Sequence, residues 1–255
     1  MTDNYNLTAV FSPVQVNLTV GVSGHGITNE TGTKAHDQYS NVTVLAIPDS
    51  GYRLSQWLLN GTTAGSTNPY RLNMTSNYSL TAVFVAVQMN LTVGVSGHGT
   101  TNPAGTTFYD QFTNVTVSAS PDSGYALSLW LLNGTNAGSA NPYVINMTNN
   151  YNLTAVFSRL QVNLTVQTSG NGLTNSTGTT AYDMFTNVTV LASPSSGYLL
   201  AYWLLNSDNA GANNPFTLNM TSNYILTAVF SPVQTRLTVE ISGNGATNST
   251  GAAIY

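Results

Sequence analysis

The chain has 255 residues, a formal net charge of −4 and no cysteine, and charged residues make up 5% of it, where about 25% is usual for a soluble domain. So few cations exclude the basic surface that nucleic-acid binding requires, and the lack of cysteine excludes a disulfide framework or a thiolate metal site. Uncharged Asn, Thr and Ser side chains must therefore hydrate most of the surface.

A unit of 73 residues repeats along the chain, as the spacing of Trp57, Trp130 and Trp203 shows. A unit of this length can form a small core, and stacked neighbours can share burial. We interpret the chain as part of a longer array of repeat domains. The repeat predicts the end of a preceding unit at 1–15, whole units at 16–88, 89–161 and 162–234, and the start of a following unit at 235–255.

The first half of a unit predicts two strands separated by a polar loop. Residues 17–22 alternate between apolar and polar side chains, which is the period of a half-buried strand, and a glycine turn follows at 23–26. The polar loop 27–40 has room for one helical turn and no longer helix. A second alternating strand covers 41–46 and ends at a turn, Pro48-Asp-Ser-Gly51, whose residue types suit a turn.

The second half of a unit predicts a third strand and a hairpin. Strand 52–59 carries apolar side chains on both faces near its end, which requires burial on both sides or a β-bulge. After an Asn-Gly turn, alternating strands 70–74 and 78–84 with turn residues 75–77 between them predict a hairpin. The unit is therefore predicted to be all-β, with about five strands.

Only Val85-Ala-Val-Gln88 separates the last strand of the first unit from the first strand of the next. Flexible linkers are rich in Gly and Ser or are charged, and this segment is neither. We therefore expect consecutive units to be held at a fixed angle, so that the array of small β-sheet domains forms a rod.

Asn-x-Thr/Ser, the acceptor sequence for N-linked sugar, is the motif in this chain that carries chemistry. At Asn17, Asn41 and Asn73 the middle residue points inward, so the strand period places Asn and its hydroxyl partner on the outer face, and every unit keeps these three motifs. At other positions the motif is not kept in every unit; Asn102, for example, is followed by Pro103, which blocks glycosylation. We predict covalent N-linked glycans; the alternative is that Asn and Thr only supply uncharged polarity. The predicted acceptors are Asn6, Asn17, Asn29, Asn41, Asn60, Asn73, Asn77, Asn90, Asn114, Asn133, Asn146, Asn152, Asn163, Asn175, Asn187, Asn219 and Asn248.

Histidine positions give no catalytic or metal-binding pattern. His25 and His98 occupy a repeat position that Asn171 and Asn244 take in later units, which favours a turn residue over a metal ligand or a general base. No Ser recurs with a His and an Asp, and no pair of carboxylates recurs either. We therefore predict that the chain is not an enzyme and binds no metal and no cofactor.

Two other recurrent features have a structural and a functional interpretation. Asp37, Asp110 and Asp183 recur, but Ca²⁺ needs several carboxylates together, so a loop-capping aspartate is favoured over a weak calcium site. Tyr52 and Trp57 could offer aromatic faces to a sugar, but an aromatic side chain inside a strand is more often part of the core.

The segment from Ala46-Ile-Pro48 through Gly51-Tyr52 to Trp57, together with Thr81 to Phe84, resembles the divergent internalin-type B repeat of long surface proteins. The resemblance implies a β-grasp-like module, used as a stalk or adhesive spacer, with no catalytic residues to carry over. The chain departs from the family in two ways. No helix is evident between Gly32 and Asn41, which leaves the β-grasp topology open, and Asn-x-Thr replaces the charged outer positions.

These observations predict a structural extracellular glycoprotein: a rigid, N-glycosylated stalk, or a component of a fibril or sheath, on a microbial cell surface. Its expected partners are neighbouring repeats or identical chains. The alternative is an adhesin-type module that binds carbohydrate or a cell-surface partner through loops such as 61–68. No apolar run approaches the ~20 residues of a membrane span. Thr-Asp-Asn follows Met1 where a secretion signal would have a basic and then an apolar segment, so any such signal is expected upstream of Met1.

Overall fold

The computed structural model describes residues 4–249 and 251–254, so residues 1–3 of the unit end predicted at 1–15 lie outside it. All regular structure in the described residues is β-strand, which confirms the all-β prediction. None of these residues forms a helix of the length and apolarity that a membrane span requires. One compact unit takes the described part of 1–94 with 101–119 and 129–155, and a second takes 95–100, 120–128 and the described part of 156–255.

The strands follow the same order in the first and third repeats, and in the second repeat one strand covers the positions of the fourth and fifth. Those of the first repeat are β1 (Gln15–Ser23), β2 (Gly26–Thr28), β3 (Gly32–Asp37), β4 (Asn41–Val44), β5 (Ala46–Pro48), β6 (Tyr52–Leu59), β7 (Thr62–Thr63), β8 (Tyr70–Asn73) and β9 (Tyr78–Ala86). Those of the second are β10 (Gln88–Ser96), β11 (Gly99–Asn102), β12 (Gly105–Asp110), β13 (Asn114–Pro121), β14 (Tyr125–Leu132), β15 (Thr135–Asn136), β16 (Tyr143–Asn146) and β17 (Tyr151–Arg159).

The third repeat and the segment after it complete the strand order. The third repeat contains β18 (Gln161–Ser169), β19 (Gly172–Thr174), β20 (Gly178–Asp183), β21 (Asn187–Val190), β22 (Ala192–Pro194), β23 (Tyr198–Leu205), β24 (Asp208–Asn209), β25 (Phe216–Asn219) and β26 (Tyr224–Pro232). The segment after it contains β27 (Arg236–Val239) and β28 (Gly251–Ile254).

A five-stranded mixed sheet in the order β3-β1-β9-β6-β7 forms the main layer of the first repeat. β1 and β9 are parallel at its centre, and each has an antiparallel neighbour on its other side. Two short antiparallel pairs, β4 with β8 and β2 with β5, complete the repeat. The third repeat has the same arrangement, with β20-β18-β26-β23-β24 as its main sheet.

Two expectations for the first repeat are wrong. The segment 27–40 is not a loop, because β3 runs through it and pairs with β1 from Val20↔Gly32 to Gln15↔Asp37. The hairpin of 70–74 with 78–84 does not form, because β8 pairs with β4 and β9 pairs with β1 and β6. Both strands do point their apolar side chains inward, but they reach the core from different layers, and Met74, at the crossing between them, is fully buried.

The cores of the first and third repeats lie between these layers. In the first repeat it joins Leu18 of β1, Val44 of β4, Leu72 of β8 and Leu80 of β9 around Trp57, which has no exposed surface. The Trp57 indole N–H donates to the Thr67 carbonyl oxygen at 3.1 Å, so the polar end of the buried ring is satisfied. The core interpretation of this tryptophan is confirmed, and it offers no platform to a sugar. Trp130 and Trp203 are also fully buried, and their indole N–H groups donate to the carbonyl oxygens of Ala140 and Asn213.

A β-bulge explains the apolar side chains on both faces of β6. The register with β9 shifts between Leu54 and Gln56, which leaves Ser55 as the extra residue. The shift reverses the alternation along the strand, so Leu54, Trp57 and Leu59 all pack against one core. Of the two alternatives that the sequence left open, the bulge is the one present, and it lies before the end of the strand.

The turn between β6 and β7 predicts a stabilising substitution. Asn60 and Gly61 have φ of 51° and 78°, and the third repeat has Asn206 and Ser207 at φ of 51° and 78°. Left-handed backbone disfavours a residue with a Cβ by about 1–2 kcal/mol. Ser207→Gly should therefore raise the free energy of unfolding by about 1 kcal/mol, measured by thermal unfolding, and slow hydrogen exchange at the Leu205–Asp208 pair.

The reciprocal change is the control. Gly134 has φ of 81° in the second repeat, so Gly134→Ser should destabilise the chain by a similar amount. If both substitutions leave the unfolding midpoint unchanged, backbone strain at this turn is not what limits stability.

Candidate glycan-acceptor surface and repeat joints

The predicted acceptor asparagines lie on the outer surface. All are exposed except Asn90, which is half-buried. On β1, Asn17 and Thr19 are exposed on either side of Leu18, which is fully buried, so the strand period places both polar residues of the motif outside. The hydroxyl partner of Asn248 is Thr250, which lies outside the described residues.

In each repeat two acceptor asparagines lie directly opposite each other on paired strands, and one of them donates hydrogen bonds through its side-chain amide nitrogen. Asn41 and Asn73 are directly opposite in the register. The Asn73 Nδ2 donates to the Asn41 Oδ1 at 3.0 Å and to the Tyr39 carbonyl oxygen at 3.2 Å, so both of its hydrogens are engaged. The side chain of Asn41 enters this contact only as an acceptor. The same two bonds link Asn146 to Asn114 and Phe112, and Asn219 to Asn187 and Phe185.

Other acceptor asparagines hold the backbone through the side-chain oxygen. The Asn29 Oδ1 accepts from the Leu45 N–H at 2.7 Å, and the Asn60 Oδ1 accepts from the Ser79 N–H at 2.8 Å. N-linked sugar attaches at the amide nitrogen, so these bonds leave the attachment atom free. The oxygens of Asn77, Asn133 and Asn175 act in the same way, on the N–H groups of Asn17, Asn152 and Leu191.

Sequence reasoning missed one recurrent asparagine. The Asn68 Oδ1 accepts from the Ala46 N–H at 2.9 Å while its Nδ2 donates to the Ala46 carbonyl oxygen at 2.8 Å. One side chain thus satisfies both backbone groups of a strand residue, as a neighbouring strand would. Asn141 and Asn214 do the same at Ala119 and Ala192. The Asn-Pro dipeptide that recurs at these positions was the available signal.

The recurrent aspartates have a structural partner. The carboxylate of Asp37 accepts from the amide of Gln15, and Asp110 accepts from Gln88 in the same way. In the third repeat the Gln161 Nε2 lies 3.1 Å from the Asp183 Oδ1. Each aspartate ends a strand and binds the first residue of the strand beside it, so its recurrence has a cause other than a ligand.

The joint between the first two repeats is built from backbone hydrogen bonds. Val87, the single residue between β9 and β10, donates its N–H to the Gly51 carbonyl oxygen and accepts from the Gln111 N–H, both at 2.8 Å. The joint between the second and third repeats has the same two bonds at the same length, from Leu160 to Gly124 and from Met184 to Leu160. The residue that connects the last strand of one repeat to the first strand of the next is therefore fixed both to a turn of the first and to a strand end of the second.

A glycine and an aromatic ring pack together at each of these joints. A Cβ on Gly51 would lie 3.2 Å from the ring of Phe112, and one on Gly124 would lie 2.9 Å from the ring of Phe185. At the second joint the Arg159 guanidinium also lies 5.5 Å from the centre of the Tyr125 ring. A Cβ would therefore force the ring to shift by a few tenths of an ångström at Gly51, and at Gly124 it would lie closer than Cβ atoms normally approach another atom.

Hydrogen bonds lower the pKa of two half-buried tyrosines, Tyr78 and Tyr224. The side chain of Thr75, and to a smaller extent that of Ser76, lowers the pKa of Tyr78, because hydroxyl donors favour the charged phenolate. The Thr75 Oγ1 and the Tyr78 Oη are 2.7 Å apart. In the third repeat Ser222, and then Thr221, lowers the pKa of Tyr224. These contacts close the turn before the last strand of the repeat.

The fold is a tandem series of small β-domains with an asparagine-rich outer surface. The segments 16–88, 89–161 and 162–234 each match the Divergent InlB B-repeat domain. The chain belongs to this family, which confirms the resemblance seen in the sequence. No curated protein matches the chain.

One solved structure similar to this chain is the Bacillus anthracis TIE protein, at a TM-score of 0.45 and 10% sequence identity. The match covers 86% of this chain and 50% of that one, so this chain spans half the length of the structure that it matches.

The joint predicts different effects for two equivalent glycines. Gly124 and Gly197 have φ of 80° and 79°, so Gly→Ala imposes the same backbone strain at both. Only Gly124 has the ring of Phe185 against it, while Gly197 has no atom within 4 Å of the added Cβ. Gly124→Ala should therefore cost about 1–3 kcal/mol more than Gly197→Ala in thermal unfolding.

Gly124→Ala should also speed hydrogen exchange at the N–H groups of Leu160 and Met184, which form the second joint, whereas Gly197→Ala should leave both unchanged. Equal losses of stability with unchanged exchange would show that the glycine–aromatic contact does not hold the joint.

Proposed function

We propose that the chain is a structural segment of an extracellular glycoprotein, a stalk or fibril component of a microbial cell surface, whose repeats carry N-linked sugar on their outer face. One observation carries the proposal: exposed asparagines in acceptor motifs recur on every repeat, and five of them contact the backbone through the side-chain oxygen, which leaves the nitrogen free. The proposed partners are neighbouring repeats and identical chains.

The low charge of the chain supports a sugar coat. Charged side chains normally keep a protein hydrated and prevent association, and a solubilising surface usually carries about 25–35% of them. This chain has 5%. N-linked glycans are bulky and strongly hydrated, so a coat attached at the outward asparagines would supply what the missing charges do not.

Attachment would proceed by glycosyl transfer from a lipid-linked sugar phosphate. The asparagine Nδ2 forms a bond to the anomeric carbon, the bond from that carbon to the phosphate oxygen breaks, and Nδ2 loses one proton while keeping the other. A glycosylated Nδ2 can therefore donate one hydrogen bond and not two. Since Asn73, Asn146 and Asn219 each donate two hydrogen bonds from Nδ2, this loss of a hydrogen favours Asn41, Asn114 and Asn187 as acceptors.

The joints support a structural role. The same pair of backbone hydrogen bonds and the same glycine–aromatic contact occur both between the first and second repeats and between the second and third. A protein that works as a stalk needs connections that resist bending, and hydrogen-bonded one-residue connections meet that need better than Gly/Ser-rich linkers.

Site-specific peptide mapping tests the proposal. In full-length chain secreted from a host that attaches N-linked sugar, we expect higher occupancy at Asn41, Asn114 and Asn187 than at the asparagine opposite each of them, because the opposite Nδ2 already donates twice.

The matched control variant is Asn41→Ala, which removes the acceptor oxygen opposite Asn73 and should raise occupancy at Asn73. Asparagines that are unmodified throughout native material would refute the glycoprotein proposal. Occupancy that is equal across each pair would refute the ranking and leave the glycoprotein proposal intact.

A binding module remains the second candidate, because a groove lies beside the loop 61–68. Ala64, Thr67, Pro69, Tyr70 and Arg71 line it. Val144 and Thr217 replace Arg71 in the later repeats, so a ligand of this groove would be specific to the first repeat. Glycan-array binding that Arg71→Val abolishes would favour the adhesin over the structural segment.

A further inference from the structure

An exposed row of aliphatic side chains lies on the outer face of the β2–β5 pair in the first repeat. Ile27 and Ile47 are directly opposite in the register and are 59% and 43% exposed. Leu45, at 39% exposed, follows on the same face of the chain. We call these three residues the apolar strip. These three neighbouring side chains form a small apolar patch beside an acceptor motif.

The repeats provide an internal comparison. In the third repeat Leu173 and Leu191 take the places of Ile27 and Leu45 and are 71% and 44% exposed. In the second repeat the equivalent residues are Thr100, Ser118 and Ser120, so this face is polar there.

The neighbouring acceptor motif varies in the same way. Asn29-Glu-Thr31 stands beside the apolar strip of the first repeat, and Asn175-Ser-Thr177 stands beside its counterpart in the third. In the second repeat Pro103 follows Asn102 and removes the motif. Apolar side chains on this face therefore occur where a sugar can be attached and are absent where it cannot.

The position of Asn29 links the motif to the apolar strip. The Asn29 N–H donates to the Leu45 carbonyl oxygen at 3.1 Å, and the Leu45 N–H donates to the Asn29 Oδ1 at 2.7 Å. Asn175 makes the same two contacts with Leu191, at 3.0 and 2.9 Å. The amide is thus held against the leucine by its oxygen, and the nitrogen is the atom left for attachment.

We infer that Asn29 and Asn175 carry N-linked sugar whose first rings lie over the adjacent aliphatic side chains, so that these glycans cover apolar surface as well as adding hydration. The inference rests on the proposed function, because it requires that the chain be N-glycosylated. Pyranose rings present C–H groups on their faces, which can bury aliphatic surface as a side chain would. A sugar fixed beside Leu45 needs no partner protein to reach the apolar strip.

The test removes these glycans without changing the asparagines. Thr31→Ala with Thr177→Ala destroys both motifs and keeps the Asn29 and Asn175 oxygen contacts. The matched control is Thr62→Ala with Thr135→Ala, which removes the motifs of Asn60 and Asn133, on the turn that follows β6 and β14. Both double variants are made in the full chain, secreted from a host that attaches N-linked sugar.

The readouts are fluorescence of a dye that binds apolar surface and self-association by sedimentation. Both should rise for the Thr31/Thr177 variant and stay at the wild-type level for the control. Enzymatic removal of sugar from the folded wild-type chain should produce the same rise, which covers the case in which the variant misfolds. The substitutions Ile27→Thr, Leu45→Ser and Ile47→Ser give the first repeat the residues found at these positions in the second. Added to the Thr31/Thr177 variant, they should remove the part of the rise that comes from the first repeat.

Peptide mapping separates failure of this inference from failure of the proposed function. Bare Asn29 and Asn175 with sugar present at Asn17 or Asn41 would overturn the inference alone. Occupied Asn29 and Asn175 whose removal changes neither dye binding nor association would also overturn the inference alone. Sugar at none of the acceptors would overturn both.

Discussion

Parallel pairing of the first and last strands is the constraint on which each repeat depends. Leu18 of β1 is opposite Tyr78 of β9, and Val20 is opposite Leu80. Parallel neighbours cannot be joined by a tight turn, so a long connection is needed between them, and it supplies both the outer strands of the main sheet and the short pairs that cover the core. Because β1 and β9 are parallel, the start of β1 and the end of β9 lie at opposite ends of the sheet. The chain therefore enters and leaves a repeat at different ends, and the first strand of the next repeat follows after one residue, Val87.

The asparagine side chain serves two purposes in this fold. Its oxygen and nitrogen satisfy backbone groups that no strand reaches, as Asn68 does at Ala46, and its nitrogen is the atom to which sugar attaches. Recurrence of an asparagine in every repeat therefore does not by itself indicate a glycan. Contacts at the nitrogen distinguish the two purposes: Asn73 is held at both hydrogens, while Asn29 is held only through its oxygen.

Pattern reasoning located most strands but not their neighbours. The alternation in 70–74 and 78–84 correctly placed Leu72 and Leu80 in the core, yet a hairpin was the wrong pairing. Alternation reports which face of a strand is buried, and two strands that approach one core from opposite layers show the same pattern as two paired strands. The segment 27–40 was missed because β3 is an edge strand whose side chains are mostly exposed, so it has no apolar period to detect.

The sequence by itself determined the repeat and its 73-residue spacing, the inward apolar set, the outward acceptor motifs and the family. Each of these follows from residue types at short spacing or from comparison of equivalent positions. Only the tertiary structure decided that β8 pairs with β4, that Ser55 forms the bulge, that Val87 is fixed by two repeats, and which asparagine nitrogens are free. These depend on contacts between residues far apart along the chain, such as Asn41 with Asn73, and the packing of two layers selects them from many pairings that the same local pattern allows.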